Sequence, residues 1–223
     1  MQNIVVFTGA GISAESGLDT FRDSGGLWEK YKIEDVATPE AFERNPELVL
    51  DFYNLRRKQL LQCKPNAAHF ALNELKDKYK LQIITQNVDD LHERSGSQNV
   101  LHLHGKLLEA KSTLNEEIYP INGAELNIGD LCKNGSQLRP NVVWFGEAVP
   151  KIAEAISITQ KADVFIVIGT SLNVYPAASL LKYTENVERI ILIDPNTKNI
   201  HGIEVLTEKA TIAVPELVAT LLK

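Results

Sequence analysis

Cysteine is nearly missing from this chain: Cys63 and Cys132 are the only two in 223 residues. Two isolated thiols exclude the disulfide framework that holds many small secreted domains together. No apolar run approaches the roughly 20 residues that a membrane-crossing helix needs. The opening MQNIVVFTGAG has no cationic stretch ahead of its apolar one, which is itself too short for a secretory leader. Positive charge is not in excess either, since 23 Lys and Arg face 29 Asp and Glu for a net charge of −6. General attraction to nucleic acid or to an anionic membrane is therefore not expected. The remaining composition, 44% hydrophobic and 23% charged, is ordinary for a globular domain. These absences lead us to expect a cytoplasmic, monomeric protein without nucleic-acid or membrane partners.

Several short apolar runs read as buried strands: Ile4–Phe7, Leu81–Thr85, Val142–Phe145, Val164–Ile168 and Ile190–Ile193. They are rich in Val and Ile without alternation, as parallel strands covered on both faces should be. Helical patterns at Lys151–Lys161, Pro176–Tyr183 and Val214–Leu222 lie between or after them. Strand and helix in alternation predict an α/β fold with a parallel sheet. Two stretches break the alternation. Between Gly26 and Lys78 the chain shows two amphipathic helices, one opened by Asn45-Pro46 and the other near Pro65-Asn66. Residues 106–137 are polar, with scattered Gly, Asn and Pro. We expect one domain over 1–223, with a large lobe from about 1–25, 79–105 and 140–223. The insertions, about 26–78 and 106–139, form a smaller lobe.

The first strand runs directly into Gly9-Ala10-Gly11-Ile12-Ser13-Ala14. Small residues there permit a tight turn and close approach of backbone N–H groups to a pyrophosphate. The expected fold is thus Rossmann-like and doubly wound. A dehydrogenase would show a second strand ending in an acidic residue about 20 positions later. Here the chain reads Thr20-Phe21-Arg22-Asp23-Ser24-Gly25-Gly26-Leu27-Trp28 and turns helical, and neither Glu29 nor Asp35 ends a strand.

TGAGISAESGLDTFRDSGGLW resembles the cofactor-binding opening of sirtuins. TQNVDDLHERSGS, LHLHG, LRPNVVWFGE and GTSLNVYPA follow in that family's order. The resemblance spans Gly9 to about Pro215. It implies an NAD-dependent protein-lysine deacylase that breaks the nicotinamide–ribose bond and transfers the acyl group to the sugar, releasing O-acyl-ADP-ribose. His104 in LHLHG matches the base that activates ribose hydroxyls, a task suited to an imidazole with an ordinary pKa near 6.5. Asn87, paired with it in catalysis, and Asp89 match the nicotinamide pocket, and Gln86 a ribose contact. Gly9, Ala10, Gly11, Ser13, Gly169, Thr170 and Ser171 match the phosphate and ribose region. Thr20, Phe21, Arg22 and Trp28 match a mobile cofactor loop. Asp194 stands where sirtuins usually carry Asn at the adenosine end, and Ala210 fits the last adenine-side contact loosely. Val142, Trp144, Phe145 and Gly146 match the strand that pairs with an acyl-lysine peptide. His69, His92 and His201 read as structural, and His102, two residues before the base, is expected to point to the opposite face if the segment is extended.

On the first inserted helix Tyr53 and Arg56 share a face, three residues apart. A phenol and a forked guanidinium together suit a carboxylate. The pattern resembles the sirtuin branch that removes succinyl and malonyl groups, and Ala37 matches the small residue that widens its pocket. Most sirtuins also carry four cysteines between the base and the LRP motif, whereas this interval holds Cys132 alone. One thiolate does not make a tetrahedral site, so no structural zinc is expected in what resembles a degenerate zinc ribbon. Mono-ADP-ribosyl transfer and non-catalytic sensing of NAD or ADP-ribose are the rival readings.

Overall fold

The fold is that of a computed structural model describing residues 1–18, 30–170, 177–198 and 200–223. Its centre is β1 (Asn3–Thr8), whose register pairs it in parallel with β2 (Lys80–Thr85) on one edge and β7 (Val164–Ile168) on the other. With β3 (Val100–His102), β8 (Arg189–Ile193) and β9 (Glu204–Leu206) these strands form a six-stranded parallel sheet in the order β3-β2-β1-β7-β8-β9. Successive side chains of a strand point to opposite faces, which is why a continuous apolar run is needed here. Ile4 and Val6 pack with Ala68, Ala71 and Leu72 of α5 (Ala67–Glu74) and with Val214 and Leu217 of α8 (Ala210–Leu221). Val5 and Phe7 pack on the other face with Phe165, Val167 and Ala155 of α7 (Ile152–Thr159). The sheet is therefore covered on both sides, as the doubly wound expectation requires.

One-turn helices α1 (Gly11–Ala14) and α6 (Leu91–Arg94) follow β1 and β2, and the insertions carry α2 (Ile33–Val36), α3 (Pro39–Arg44) and α4 (Pro46–Gln62). Asn45 caps α4 by accepting from the Leu48 N–H, with Pro46 at the first helical position where a missing N–H costs nothing. Residues 105–142 are more regular than expected. They form a three-stranded antiparallel sheet, β5-β4-β6, from β4 (Gly105–Ser112), β5 (Ile118–Pro120) and β6 (Leu138–Val142). The predicted buried strand Val142–Phe145 is corrected by this: only Val142 is in a strand, and that strand is antiparallel. Pro140 is tolerated because β6 lies at a sheet edge.

Two helices also differ. The closing helix starts at Ala210, before Pro215, because Glu15 accepts hydrogen bonds from both the N–H and the hydroxyl of Thr211 and holds the first turn. Ala177–Tyr183 is a 3-10 helix.

Candidate active site

Strand order reverses between β1 and β7, the place where open α/β sheets leave a crevice at their carboxyl ends. Two turns cross there in direct backbone contact. Gly9 N–H donates to the Ile168 carbonyl at 3.0 Å, and Gly11 N–H to that of Gly169 at 2.8 Å. A Cβ on Gly11 would lie 2.6 Å from the Gly169 Cα, and one on Gly169 would lie 2.4 Å from the Ile12 nitrogen. Gly169 also has φ +60°, which non-glycine residues rarely adopt. Only glycine fits the crossing.

Above it opens a cavity of about 750 Å³. The turn after β1 brings Gly9, Ala10, Gly11 and Ser13 to its wall, the loop after β2 brings Gln86, Asn87 and Asp89, and β7 leads in Gly169 and Thr170. Asp194 after β8 and Ala210 at the start of α8 close one end. Ala37, Tyr53 and Arg56 face it from the insertion, with Val142, Trp144, Phe145 and Gly146 across from them and His104 between. The described candidates thus all share one cavity. Thr20, Phe21, Arg22, Trp28 and Ser171 lie outside the described residues.

Three buried polar side chains form a chain in the wall. The Asn87 amide donates to Ser13 Oγ at 3.1 Å, and Ser13 donates to Asp89 Oδ2 at 3.0 Å. The other Asp89 oxygen accepts from Leu91 N–H. Burial pushes the Asp89 carboxyl above its ordinary pKa, against these two hydrogen bonds. The Asn87 backbone N–H is itself held by Thr85 Oγ1 at 3.0 Å, so this loop is fixed from main chain and side chain alike.

His104 follows β3, and its Nδ1 lies 3.0 Å from the Gln86 carbonyl. A carbonyl only accepts, so Nδ1 carries the proton and Nε2 keeps its lone pair. Burial lowers the imidazole's pKa, opposed by the Gln86 bond. Its carbonyl accepts from Val143 N–H, which ties it to the loop after β6. Gly105 comes next at φ +80°, where a Cβ would sit 2.0 Å from the Asn141 carbonyl oxygen. The expectation that His102 points to the face opposite the base is corrected. Positions two apart on an extended chain share a face, and His102 Nδ1 meets the neighbouring carbonyl, that of Asn87, at 3.0 Å. Its Nε2 meets Glu93 at 2.8 Å. Burial alone would raise the Glu93 carboxyl, but the bonds from His102 and Lys106 outweigh it and hold the pKa at about 2.

At the other end, Trp144 Nε1–H donates to the Tyr53 hydroxyl at 2.9 Å. The Arg56 guanidinium lies 5.6 Å over the Tyr53 ring. Behind Trp144, the Arg139 guanidinium stacks 3.4 Å from its ring centre and bonds both oxygens of Glu147, one of which also accepts from Trp144 N–H. Arg139 and Glu147 lie within LRPNVVWFGE, Glu147 at the end of the segment that resembles the peptide-binding strand, but neither is among the candidate site residues. No local signal marks them, because each acts by clamping Trp144.

The segment after β4 is fastened to α4. Arg57 is 0% exposed and donates to the carbonyls of Ala124 and Leu107 and to Asn54, while Asn54 also bonds the Leu126 backbone. Burial lowers the Arg57 pKa to about 10. Leu50, Ala110, Leu126, Cys132 and Leu138 pack beneath. Among the described residues no three His, Cys, Asp or Glu side chains cluster as a metal site would require.

Residues 9–176 match the Sir2 family model. A protein of Bacteroides thetaiotaomicron named "NAD-dependent protein deacylase" is 52% identical over 227 residues, covering 97% of each chain. A Sir2 homologue solved as a complex with NAD superposes with a TM-score of 0.89 at 43% identity, over 99% of this chain and 89% of that one. A Sir2 protein bound to acetylated peptide superposes at 0.81 with 31% identity, over 99% and 92%.

Proposed function

This chain belongs to the Sir2 family, and from that membership we propose that it is an NAD-dependent protein-lysine deacylase with an acyl pocket biased toward succinyl and malonyl groups. The observation that carries the reading is the single cavity in which a side-chain-free glycine crossing, a neutral imidazole and a tyrosine–arginine pair converge.

A dinucleotide fits this site sterically. The crossing leaves backbone open to a pyrophosphate, and about 750 Å³ lies within the usual range of small-molecule sites, about 300–1,000 Å³. When bound, NAD would supply an electrophilic anomeric carbon that takes the acyl carbonyl oxygen as nicotinamide leaves; the acyl group would then move to a ribose hydroxyl, with water releasing the lysine amine. Gly9, Ala10, Gly11, Gly169 and Thr170 hold the phosphates and nearby ribose. Asn87 and Asp89 hold the carboxamide end, Gln86 a ribose hydroxyl, and Asp194 with Ala210 the adenosine. His104, its Nδ1–H committed to Gln86, takes a ribose hydroxyl proton on Nε2. Burial keeps the ring neutral near pH 7, the form a base needs.

The acyl-lysine peptide lies along Val142–Gly146, and the acyl chain reaches toward Ala37, Tyr53 and Arg56. Two donors at the end of an otherwise apolar pocket stabilise a carboxylate and gain nothing from an acetyl group. The buried fastening of residues 124–126 by Arg57 and Asn54 supports the reading that this module is held by packing rather than by zinc. Acetyl, succinyl and malonyl forms of one peptide, assayed for nicotinamide release and O-acyl-ADP-ribose, test the reading. Label transferred to protein instead would indicate ADP-ribosyl transfer, and no release with any peptide a sensor.

A further inference from the structure

Tyr53 is buried in an apolar cluster with Phe52, Leu60 and Val142, and it also lines the cavity. A phenol can donate or accept, so its presence alone does not say what kind of acyl tail it favours. An indole N–H only donates. Because Trp144 Nε1–H points at the Tyr53 oxygen from 2.9 Å, that oxygen is committed as acceptor and its own proton must go elsewhere. Left pointing at apolar neighbours it would be an unmatched buried donor, so the direction that satisfies it is the cavity.

Trp144 is held against drifting at three places. Its backbone N–H bonds Glu147 at 2.7 Å, its ring face is covered by Arg139 at 3.4 Å, and its Nε1 bonds Tyr53. Arg139 is in turn locked by two bonds to Glu147, of 2.8 and 2.9 Å. Bidentate pairs of this kind fix geometry as well as adding energy. Plain packing would need an aromatic ring here but not an indole nitrogen aimed at a phenol.

We propose that Trp144 sets the hydrogen-bond polarity of the acyl pocket, turning the Tyr53 hydroxyl into a donor beside the Arg56 guanidinium so that acyl tails ending in an acceptor are selected. The proposal rests on the acidic-acyl reading above and makes Trp144 a positioning residue that acts through Tyr53.

A double-variant cycle tests it, with succinyl- and acetyl-lysine on one peptide scaffold. Tyr53→Phe lowers the succinyl-to-acetyl ratio of kcat/KM roughly 10-fold, the scale of one hydrogen bond to a charged group. Trp144→Phe, which keeps a ring on Arg139, lowers it about 3-fold through KM rather than kcat. The double variant shows no further loss beyond Tyr53→Phe, because residues acting through one contact are not additive. Additive losses, or an unchanged ratio in Trp144→Phe, overturn the proposal. An unchanged ratio in Tyr53→Phe and in Arg56→Met overturns the acidic-acyl reading itself. Indole N–H resonances give a second readout that needs only the Tyr53→Phe protein. One of the two tryptophans, Trp144, shifts upfield on losing its acceptor, and a spectrum with both peaks unmoved overturns the contact.

Discussion

Where β1 and β7 end, the cavity is lined by backbone. Gly9, Gly11 and Gly169 touch so closely that no side chain can enter. Across it, α4 and the loop after β6 offer side chains: a phenol, an indole and a guanidinium whose positions depend on one another. The first wall presents peptide groups common to every protein, and its discrimination comes from shape. The second discriminates by donors and acceptors. Changes to the first should therefore injure every reaction alike, and changes to the second should sort substrates. His104 stands between them, hydrogen-bonded to the loop after β2 through its ring and to the loop after β6 through its carbonyl.

Replacing that residue is expected to have the largest effect. His104→Ala should cost about 10²–10⁴-fold in turnover on any acyl peptide, the usual worth of a general base, while NAD binding by calorimetry persists. Near-normal turnover would remove His104 from the chemistry. In the unaltered protein, activity should fall as acid protonates the ring. Because burial lowers its pKa, the acidic limb of kcat/KM should lie below the ordinary value of about 6.5.

Next comes Gly169→Ala. A methyl 2.4 Å from the Ile12 nitrogen must push the two turns apart, and a displacement of about 1 Å can cost on the order of 10²-fold. The loss should be equal for acetyl and succinyl peptides, with a raised KM for NAD. Unequal losses would break the contrast between the walls. Arg56→Met should do the opposite, cutting desuccinylation roughly 10–100-fold, the worth of a charge-assisted hydrogen bond, and sparing deacetylation. Equal losses there would make Arg56 a support of the fold. The smallest effect should come from strong chelator, which is expected to leave both activity and thermal midpoint unchanged. About one zinc per chain by elemental analysis would contradict it, since structural zinc binding is itself folding energy.

The parallel sheet was readable because its signal is local. Val164–Ile168 is an uninterrupted apolar run and forms β7 end for end. The glycine turn is legible for the same reason, whereas His104 and Gln86–Asp89, though within a few residues of a strand end, are singled out only by the resemblance of their motifs to those of sirtuins. The antiparallel sheet was not readable. β4 reads GKLLEAKS, with lysines on a strand only half covered, and β6 contains Arg139 and Pro140. The Tyr53–Trp144 bond joins residues 91 apart in sequence, and nothing near either marks the other. Of the adjacent Arg56 and Arg57, helical spacing from Tyr53 favoured the cavity residue, but no pattern announced that Arg57 would be wholly buried.

Placing the first strand at the middle of the sheet has a consequence for how the chain is made. β1 finds its first neighbour when Lys80–Thr85 has been synthesised, but its other edge waits for Val164–Ile168. At about 5–20 residues per second, those ~80 residues take roughly 4–16 s on the ribosome. Throughout that interval, an apolar strand with one row of unpaired N–H and C=O groups is exposed to other nascent chains.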